Sequence, residues 1–144
     1  MSTLIKLVEG QWRLINASPL PNWHSPDAWI PGEPLLMPVD REPQSDYGQA
    51  ALIGVDFPAF TDGRGLSLAV LLRTRIGYTG ELRAVGAIHE DLLHYMIRCG
   101  FDALQLPAGR DARTALRLLK PYSAQYQDDL ATTYTLSERV QGWA

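Results

Sequence analysis

The stretch "ALIGVDFPAFTDGRGLSLAVLLRTRIG" at residues 51–77 decides the fold, because it reads as a strand, a loop and a helix in succession. Its opening run is almost continuously apolar rather than alternating, which is typical of a strand covered on both faces, as in a parallel sheet. Residues 66–76 place leucines on one stripe at helical spacing, and Gly77 indicates where the helix ends. The stretch therefore predicts a strand at 51–57 and the first helix of a β/α unit.

The same unit recurs twice in the residues that follow. Continuous apolar runs predict strands at 82–87 and 102–106, and the periodic segment between them predicts a helix at 89–99. A third helix is expected to begin after Asp111, a favourable capping residue, and to stop at Pro121. Three strand–helix units in a row predict right-handed crossovers and an α/β fold with a small parallel sheet, built on a β-α-β-α-β-α core.

The N-terminal region lacks the repeated strand–helix pattern of the residues that follow it. Residues 3–16 hold two partly alternating apolar runs on either side of Gly10, a pattern that predicts a β-hairpin. Residues 18–43 contain seven of the ten prolines, and because proline lacks the N–H that helices and central strands use, we expect an extended wrap packed on the body. Residues 33–39, "EPLLMPV", predict a short edge strand. Since three core strands make a small sheet, these N-terminal strands or the hairpin should extend it.

The length of 144 residues predicts one domain, 1–144, which is large enough to bury a core without disulfides. Within it we distinguish an irregular, proline-rich N-terminal part at 1–49 that includes the hairpin, a β/α core at 50–127 and a tail at 128–144. The single cysteine, Cys99, excludes an internal disulfide and a cysteine-rich metal or iron–sulfur site.

Charge and hydropathy exclude several classes of partner. The N-terminus, "MSTLIKLVEGQWRL", lacks the basic start and the unbroken apolar stretch of a signal peptide, and no segment of the sequence reaches the length of a membrane span. These features predict a cytoplasmic protein that does not engage a membrane. The formal net charge of −3 argues against a nucleic-acid partner, since such proteins usually carry a basic excess. The sequence leaves the oligomeric state open.

The candidate ligand site follows from the fold class. In open α/β sheets ligands bind beyond the carboxyl ends of the strands, which points to the loops at 56–67, 86–91 and 106–111. The first loop combines glycines that permit close backbone approach, an arginine fork suited to anions, and the N-terminus of the helix behind it. It therefore predicts an anion-receptive corner. The candidate ligand-binding residues of this loop are Thr61, Asp62, Gly63, Arg64, Gly65 and Ser67.

A structural interpretation of the same loop stays open. In it Asp62 and Thr61 only cap the helix, and Arg64 forms an ion pair with a neighbouring carboxylate. Two candidates lie outside the loop: Arg83 within the second strand and His89 at the start of the second helix. Their alternatives are a side chain at an exposed strand end and an ordinary surface histidine.

Familiar cofactor and metal motifs are incomplete in this chain. Gly63 and Gly65 begin a G-x-G-x-x-G pattern, but Leu68 occupies the third glycine position. The two histidines of "HEDLLH" at 89–94 are five residues apart rather than four, so they diverge on a helix. We therefore expect no cofactor and no metal, and the sequence identifies no catalytic residue.

The block "FPAFTDGRGLSLAVLLRTRIGYTGELRAVGAIHEDLLHYMIRCGFDALQL" resembles the bacterial family catalogued as domain of unknown function 934. The resemblance extends from residue 50 to about residue 127. Its most specific part is the run F-P-x-F-x-D-G-R-G-x-S followed by G-E-L-R-A-x-G. Members of that family are small cytoplasmic proteins commonly encoded beside assimilatory sulfite reductase, and they are often labelled oxidoreductases or accessory proteins of sulfite reduction.

The resemblance implies an accessory protein of assimilatory sulfite reduction, within the route of sulfur assimilation to cysteine. Such a protein would bind a partner reductase or a small anionic ligand at the carboxyl edge of the strands. Because redox steps need a cofactor and no flavin, nicotinamide, haem or cluster motif is present, we do not expect the chain to transfer electrons itself. The alternative is a small oxidoreductase, or another enzyme of sulfur assimilation, that uses the Asp62–Arg64 loop with a borrowed cofactor. Whether the chain is an enzyme is left open.

Overall fold

The computed structural model describes residues 3–119 and contains one six-stranded sheet with three α-helices. The strand order across the sheet is β2-β1-β6-β5-β4-β3. Strands β3 to β6 run parallel, and β1 is antiparallel to both β6 and β2. The expected α/β fold is confirmed. The elements are β1 (Thr3–Val8), β2 (Gln11–Asn16), β3 (Pro34–Pro38), β4 (Leu52–Phe57), α1 (Gly63–Thr74), β5 (Leu82–Gly86), α2 (Leu93–Cys99), β6 (Ala103–Leu106) and α3 (Ala112–Leu119).

The three core strands lie where their apolar runs predict them, but two of the helices begin elsewhere. Helix α1 starts three residues before the predicted 66, because the Asp62 side chain accepts a hydrogen bond from the Arg64 N–H and caps the helix there. The predicted helix at 89–99 is split into a 3-10 turn at Glu90–Leu92 and the short helix α2. The predicted stop at Pro121 and the tail at 128–144 lie outside the described residues.

All three helices pack on one face of the sheet. Alternate strand residues point toward them, such as Ile53 and Val55 of β4 and Leu104 of β6, and these are fully buried. The one-sided arrangement follows from the strand order, because each right-handed crossover from β3 through β6 advances in the same direction across the sheet. The helix-side core also includes Leu68 and Leu72 from α1, Met96 and Ile97 from α2, and Ala115 and Leu119 from α3.

The opposite face is covered by residues 17–23, the first part of the chain between β2 and β3, which we call the strap. At one end Ala17 packs with Leu4 of β1 and Ala103 of β6. At the other end the Trp23 ring lies against Gly54 of β4, where an added Cβ would stand only 2.6 Å from the ring. The strap therefore crosses the sheet and covers part of this face, which also carries the polar side chains of Arg83 and Gln105.

The same N-terminal region protects the β3 edge. His24 forms a parallel bridge with Leu35: its N–H donates to the Pro34 carbonyl at 3.1 Å, and its carbonyl accepts from the Leu36 N–H at 2.9 Å. The predicted edge strand and the predicted packing of the proline-rich wrap are confirmed. The hairpin is confirmed as well, with a two-residue turn in which Glu9 and Gly10 both have positive φ, 51° and 80°.

Candidate functional site

The carboxyl ends of β3, β4, β5 and β6 lie at one edge of the sheet because these four strands are parallel. The loops that follow them bring together the predicted first loop, the start of the second helical segment and the turn before α3. They also add residues 39–43, which follow β3. We call this region the carboxyl edge.

Asp62 and Arg64 form a closed pair at the start of α1. One carboxylate oxygen of Asp62 accepts from the Arg64 backbone N–H at 3.1 Å and from its Nε at 3.0 Å, and the other accepts from Nη2 at 2.7 Å. The side-chain hydrogen bond from Arg64 lowers the pKa of Asp62, and the same bond raises the pKa of Arg64. The Arg64 side chain is 60% exposed. The geometry is that of a capping aspartate with its own arginine, so an anion would have to compete with Asp62 for the guanidinium.

Gly63 and Gly65 have different surroundings, so glycine is required at one of these positions and not at the other. At Gly65 an added Cβ would overlap the ring of Phe57, so the residue is small because the helix packs directly on the end of β4. At Gly63 nothing lies within 4 Å of an added Cβ, and the position faces open space. Only Gly63 thus leaves backbone accessible from outside the protein.

Two adjoining grooves flank the exposed side of α1. The larger, about 540 Å³, lies between residues 39–43 and the first turns of the helix. The smaller, about 390 Å³, is mostly apolar and runs along α1 toward Cys99 of α2. Gly63, Ser67 and Leu71 line both grooves, so the two form one continuous depression. The other lining residues are Val39, Asp40, Arg41, Glu42, Pro43, Arg64 and Leu68 in the larger groove and Leu66, Val70 and Cys99 in the smaller.

His89 joins the carboxyl edge through an aromatic contact. Its ring lies 5.2 Å from that of Phe60, which is 47% exposed in the loop after β4. The His89 Nδ1 accepts a hydrogen bond from the Asp91 N–H at 3.1 Å and so caps the 3-10 turn. His89 has a defined structural task here, and Thr61 lies exposed in the same loop as Phe60.

The structure places Arg83 elsewhere. It lies on the strap side of the sheet, where it is buried and packs beneath the Trp23 ring at 5.9 Å. Its Nε and Nη2 donate to Glu81 at 3.0 and 2.8 Å, and its Nη1 donates to Gln105 at 3.2 Å. Burial raises the pKa of Glu81, but hydrogen bonds from Lys6 and Arg83 outweigh it, so the pKa is lowered overall. Arg83 therefore neither reaches a cleft nor lies at an exposed strand end, and it is separate from the other predicted ligand-binding residues.

The carboxyl edge is acidic in the described part of the chain. Its four loops, residues 39–43, 56–64, 86–91 and 107–111, carry seven carboxylates and three arginines. Each of those arginines is held by a carboxylate. Arg41 bonds Asp27 at 2.6 Å, and Arg110 bonds Glu90 at 2.7 and 3.0 Å. The hydrogen bond from Arg110 accordingly lowers the pKa of Glu90.

Sequence reasoning missed two parts of this edge. The loop at 39–43 was not considered because the short strand before it was not assigned a direction, and a parallel strand brings its following loop to this edge. The sequence gives no signal for Phe60, because an aromatic side chain more often packs inward, whereas the structure leaves this one 47% exposed.

Residues 3–119 contain neither a cluster of metal ligands nor a helix that could span a membrane. Within that range no group of three or more His, Cys, Asp or Glu side chains is placed to hold a metal ion. None of the helices described there has the length and apolar character needed to cross a membrane.

Comparison with known proteins identifies a family. Residues 38–136 match the model of a family described as a bacterial protein of unknown function, DUF934. The chain belongs to the DUF934 family. The resemblance found in the sequence is thereby confirmed, while no curated protein and no solved structure matches. The DUF934 match begins at the end of β3, so it includes both grooves and the Asp62–Arg64 pair but leaves out the hairpin and the strap.

Proposed function

We propose that this DUF934 protein is an accessory protein of assimilatory sulfite reduction that docks a partner reductase at its carboxyl edge. The observation that carries the proposal is the continuous depression formed by the two grooves along α1. One side of it is apolar and the other is rimmed by charged side chains, which is the combination typical of protein interfaces. The exposed Phe60 ring at the same edge adds an aromatic anchor of the kind that interfaces favour.

A protein partner fits this edge better than a small anion does. The three arginines of the edge already bond carboxylates, so an anion gains no free guanidinium there. Carboxylates also outnumber arginines at the edge, and this disfavours an anion by repulsion. The same excess favours a partner whose docking surface carries lysine or arginine around an apolar contact.

The resemblance supports the identity of the partner. The resemblance implies that members of the family are commonly encoded beside assimilatory sulfite reductase, and the segment that carries the family pattern, residues 57–67, contributes Gly63 and Ser67 to both grooves. We therefore take the neighbouring sulfite reductase as the partner to test first.

The test is direct binding of purified sulfite reductase to the immobilised chain. Ser67→Arg fills both grooves from an exposed helix position without costing helix propensity, so it should fold normally and weaken binding at least about tenfold. Ser25→Arg makes the same change at an exposed position outside the grooves and should bind as the wild type does. Binding should also weaken with added salt, since rim charges are screened.

Two results would overturn the proposal: no binding by the wild type at about 100 µM reductase, or unchanged binding by a folded Ser67→Arg variant. A specific thermal shift of the wild type with sulfite would instead favour the small anion. A visible absorption spectrum of flavin or sirohaem in the purified protein would favour the oxidoreductase alternative, because a borrowed cofactor would colour it.

A further inference from the structure

The two outer strands of the sheet differ in how their edges are protected. Strand β3 contains Pro34 and Pro38 and is bridged by His24, so little of its outer backbone is free. Strand β2 has neither protection. It is six residues long, contains no proline, and its only charged residue is Arg13. An open strand of this kind is a template for pairing with another strand.

The hairpin register identifies the backbone groups that face outward from β2. Leu7 of β1 donates its N–H to the Asp102 carbonyl on the β6 side, so it does not hydrogen-bond its β2 neighbour Trp12. Because antiparallel pairs alternate, the N–H and C=O groups of Trp12, Leu14 and Asn16 therefore point away from β1. Among the described residues, none of these backbone groups has a hydrogen-bond partner.

We propose that β2 pairs antiparallel with β2 of a second copy of this chain, so that the two sheets join into one of twelve strands. In the register that uses every outward group, Leu14 faces Leu14 of the partner subunit, and Trp12 faces Asn16 of the partner subunit. The contact is isologous, since the same strand supplies both sides about a two-fold axis.

Charge and exposure favour this occupant and this register. Leu14 and Ile15 are 36% and 37% exposed on opposite faces of the strand, and pairing would cover both. The proposed register sets Arg13 opposite the partner's Ile15, whereas a shift of two residues would set Arg13 opposite the partner's Arg13. Like charges directly opposite each other are unfavourable, so the edge is self-complementary in one register and not in the next.

The first experiment measures mass against concentration by sedimentation velocity, from about 1 to about 500 µM. We expect a reversible shift from 16.0 kDa toward twice that mass. Because Leu14 faces itself across the axis, Leu14→Lys places two ammonium groups together and should weaken dimerisation at least about tenfold. Leu14→Glu should do the same, and an equimolar mixture of the two variants should dimerise again. Ile30→Lys, at a position 59% exposed outside β2, is the matched control and should dimerise as the wild type does.

A second experiment reads the register. Directly opposite, hydrogen-bonded residues have Cα atoms about 5.5 Å apart, a distance that a disulfide can bridge. Leu14→Cys should therefore form a disulfide-linked dimer under mild oxidation, whereas Ile30→Cys should not. A wild type that stays monomeric at every concentration overturns the proposal, and so does a dimer that Leu14→Lys leaves unchanged. No β2 residue lines the grooves, so the two proposals are tested independently. Ser67→Arg tests reductase binding, and Leu14→Lys tests self-association.

Discussion

Arg64 and Arg73 stand at the two ends of the same helix, α1, and their surroundings are opposite. Arg73, in the last turn, is 12% exposed and donates to three backbone carbonyls, those of Tyr78, Gly80 and Gly100, at 2.9 to 3.0 Å. Arg64, in the first turn, is largely exposed and bonds the carboxylate two residues before it. Arg73 ties together the loops at the amino end of the strands, and Arg64 borders the larger groove at the carboxyl end.

The comparison separates arginines that maintain the fold from arginines that are accessible to a partner. If Arg73 is replaced, the carbonyls it bonds stay buried without a hydrogen-bond donor, and their desolvation is no longer compensated. Substitution of Arg73 should therefore lower the stability of the fold. An exposed ion pair contributes little to stability and can rearrange, so Arg64 and its neighbours can meet another surface.

Arg73→Ala should destabilise the protein by about 3 to 5 kcal/mol, because it leaves three carbonyls without their donor. The measurement is the free energy of unfolding in urea. Arg75→Ala is the control, since Arg75 is exposed and its partner Glu42 is exposed as well, and it should change stability by less than about 0.5 kcal/mol. Equal effects of the two variants would refute the division.

Gly65→Ala should cost about 1 to 3 kcal/mol, because the new methyl group would overlap the Phe57 ring. Gly63→Ala, two residues earlier, should be neutral or stabilise by about 0.5 kcal/mol, because it meets open space in the first helical turn. A comparison of their thermal unfolding tests whether Gly65 is packed against Phe57 while Gly63 is accessible to a partner. If both variants are neutral, the contact between α1 and β4 is looser than the structure has it.

The stability of Asp102→Asn, relative to that of the wild type, should increase as pH rises. Burial raises the pKa of Asp102, and this outweighs the lowering by Arg73 and by the Leu82 N–H. With a folded pKa above the unfolded value, the folded state holds more protons in the window just above pH 3.8. The contribution of this carboxyl to stability therefore falls as pH rises through that window.

Asparagine does not titrate and retains an acceptor for the Leu82 N–H, which lies 2.8 Å from the carboxyl oxygen. Unfolding in urea at about pH 4 and about pH 7 gives the difference between the two proteins at each pH. A difference that stays constant, or moves toward the wild type at neutral pH, would show that Arg73 governs this carboxyl instead of burial.

Arg64→Ala should have the smallest effect, with unfolding close to that of the wild type, because Arg64 is 60% exposed and an ion pair with an exposed member contributes little to stability. Under the proposed docking function, neither protein should show a specific thermal shift with sulfite, sulfate or phosphate. A shift present in the wild type and lost in Arg64→Ala would mean that an anion displaces Asp62 from the guanidinium. The carboxyl end would then hold a ligand rather than a partner.

From the sequence one can predict the α/β class, the three core strands, the hairpin and the family. These features follow from local patterns: apolar runs, helical stripes, proline content and a dense block of family residues, all of which act through neighbours in the chain. The interpretation of Asp62 as a cap with Arg64 as its partner was also within reach, because those residues are two apart and their bond is local.

Which side chains share a surface depends on the tertiary structure. From the sequence Arg83 could reach a cleft or lie at an exposed strand end, but its partner Gln105 comes from a strand 22 positions away, and its aromatic cover comes from the strap. The glycine at position 65 looked like a ligand contact until the strand before it placed Phe57 against the helix. Side-chain pairing across strands and loops depends on register and on which face each residue takes, and neither is encoded by the residues next to it.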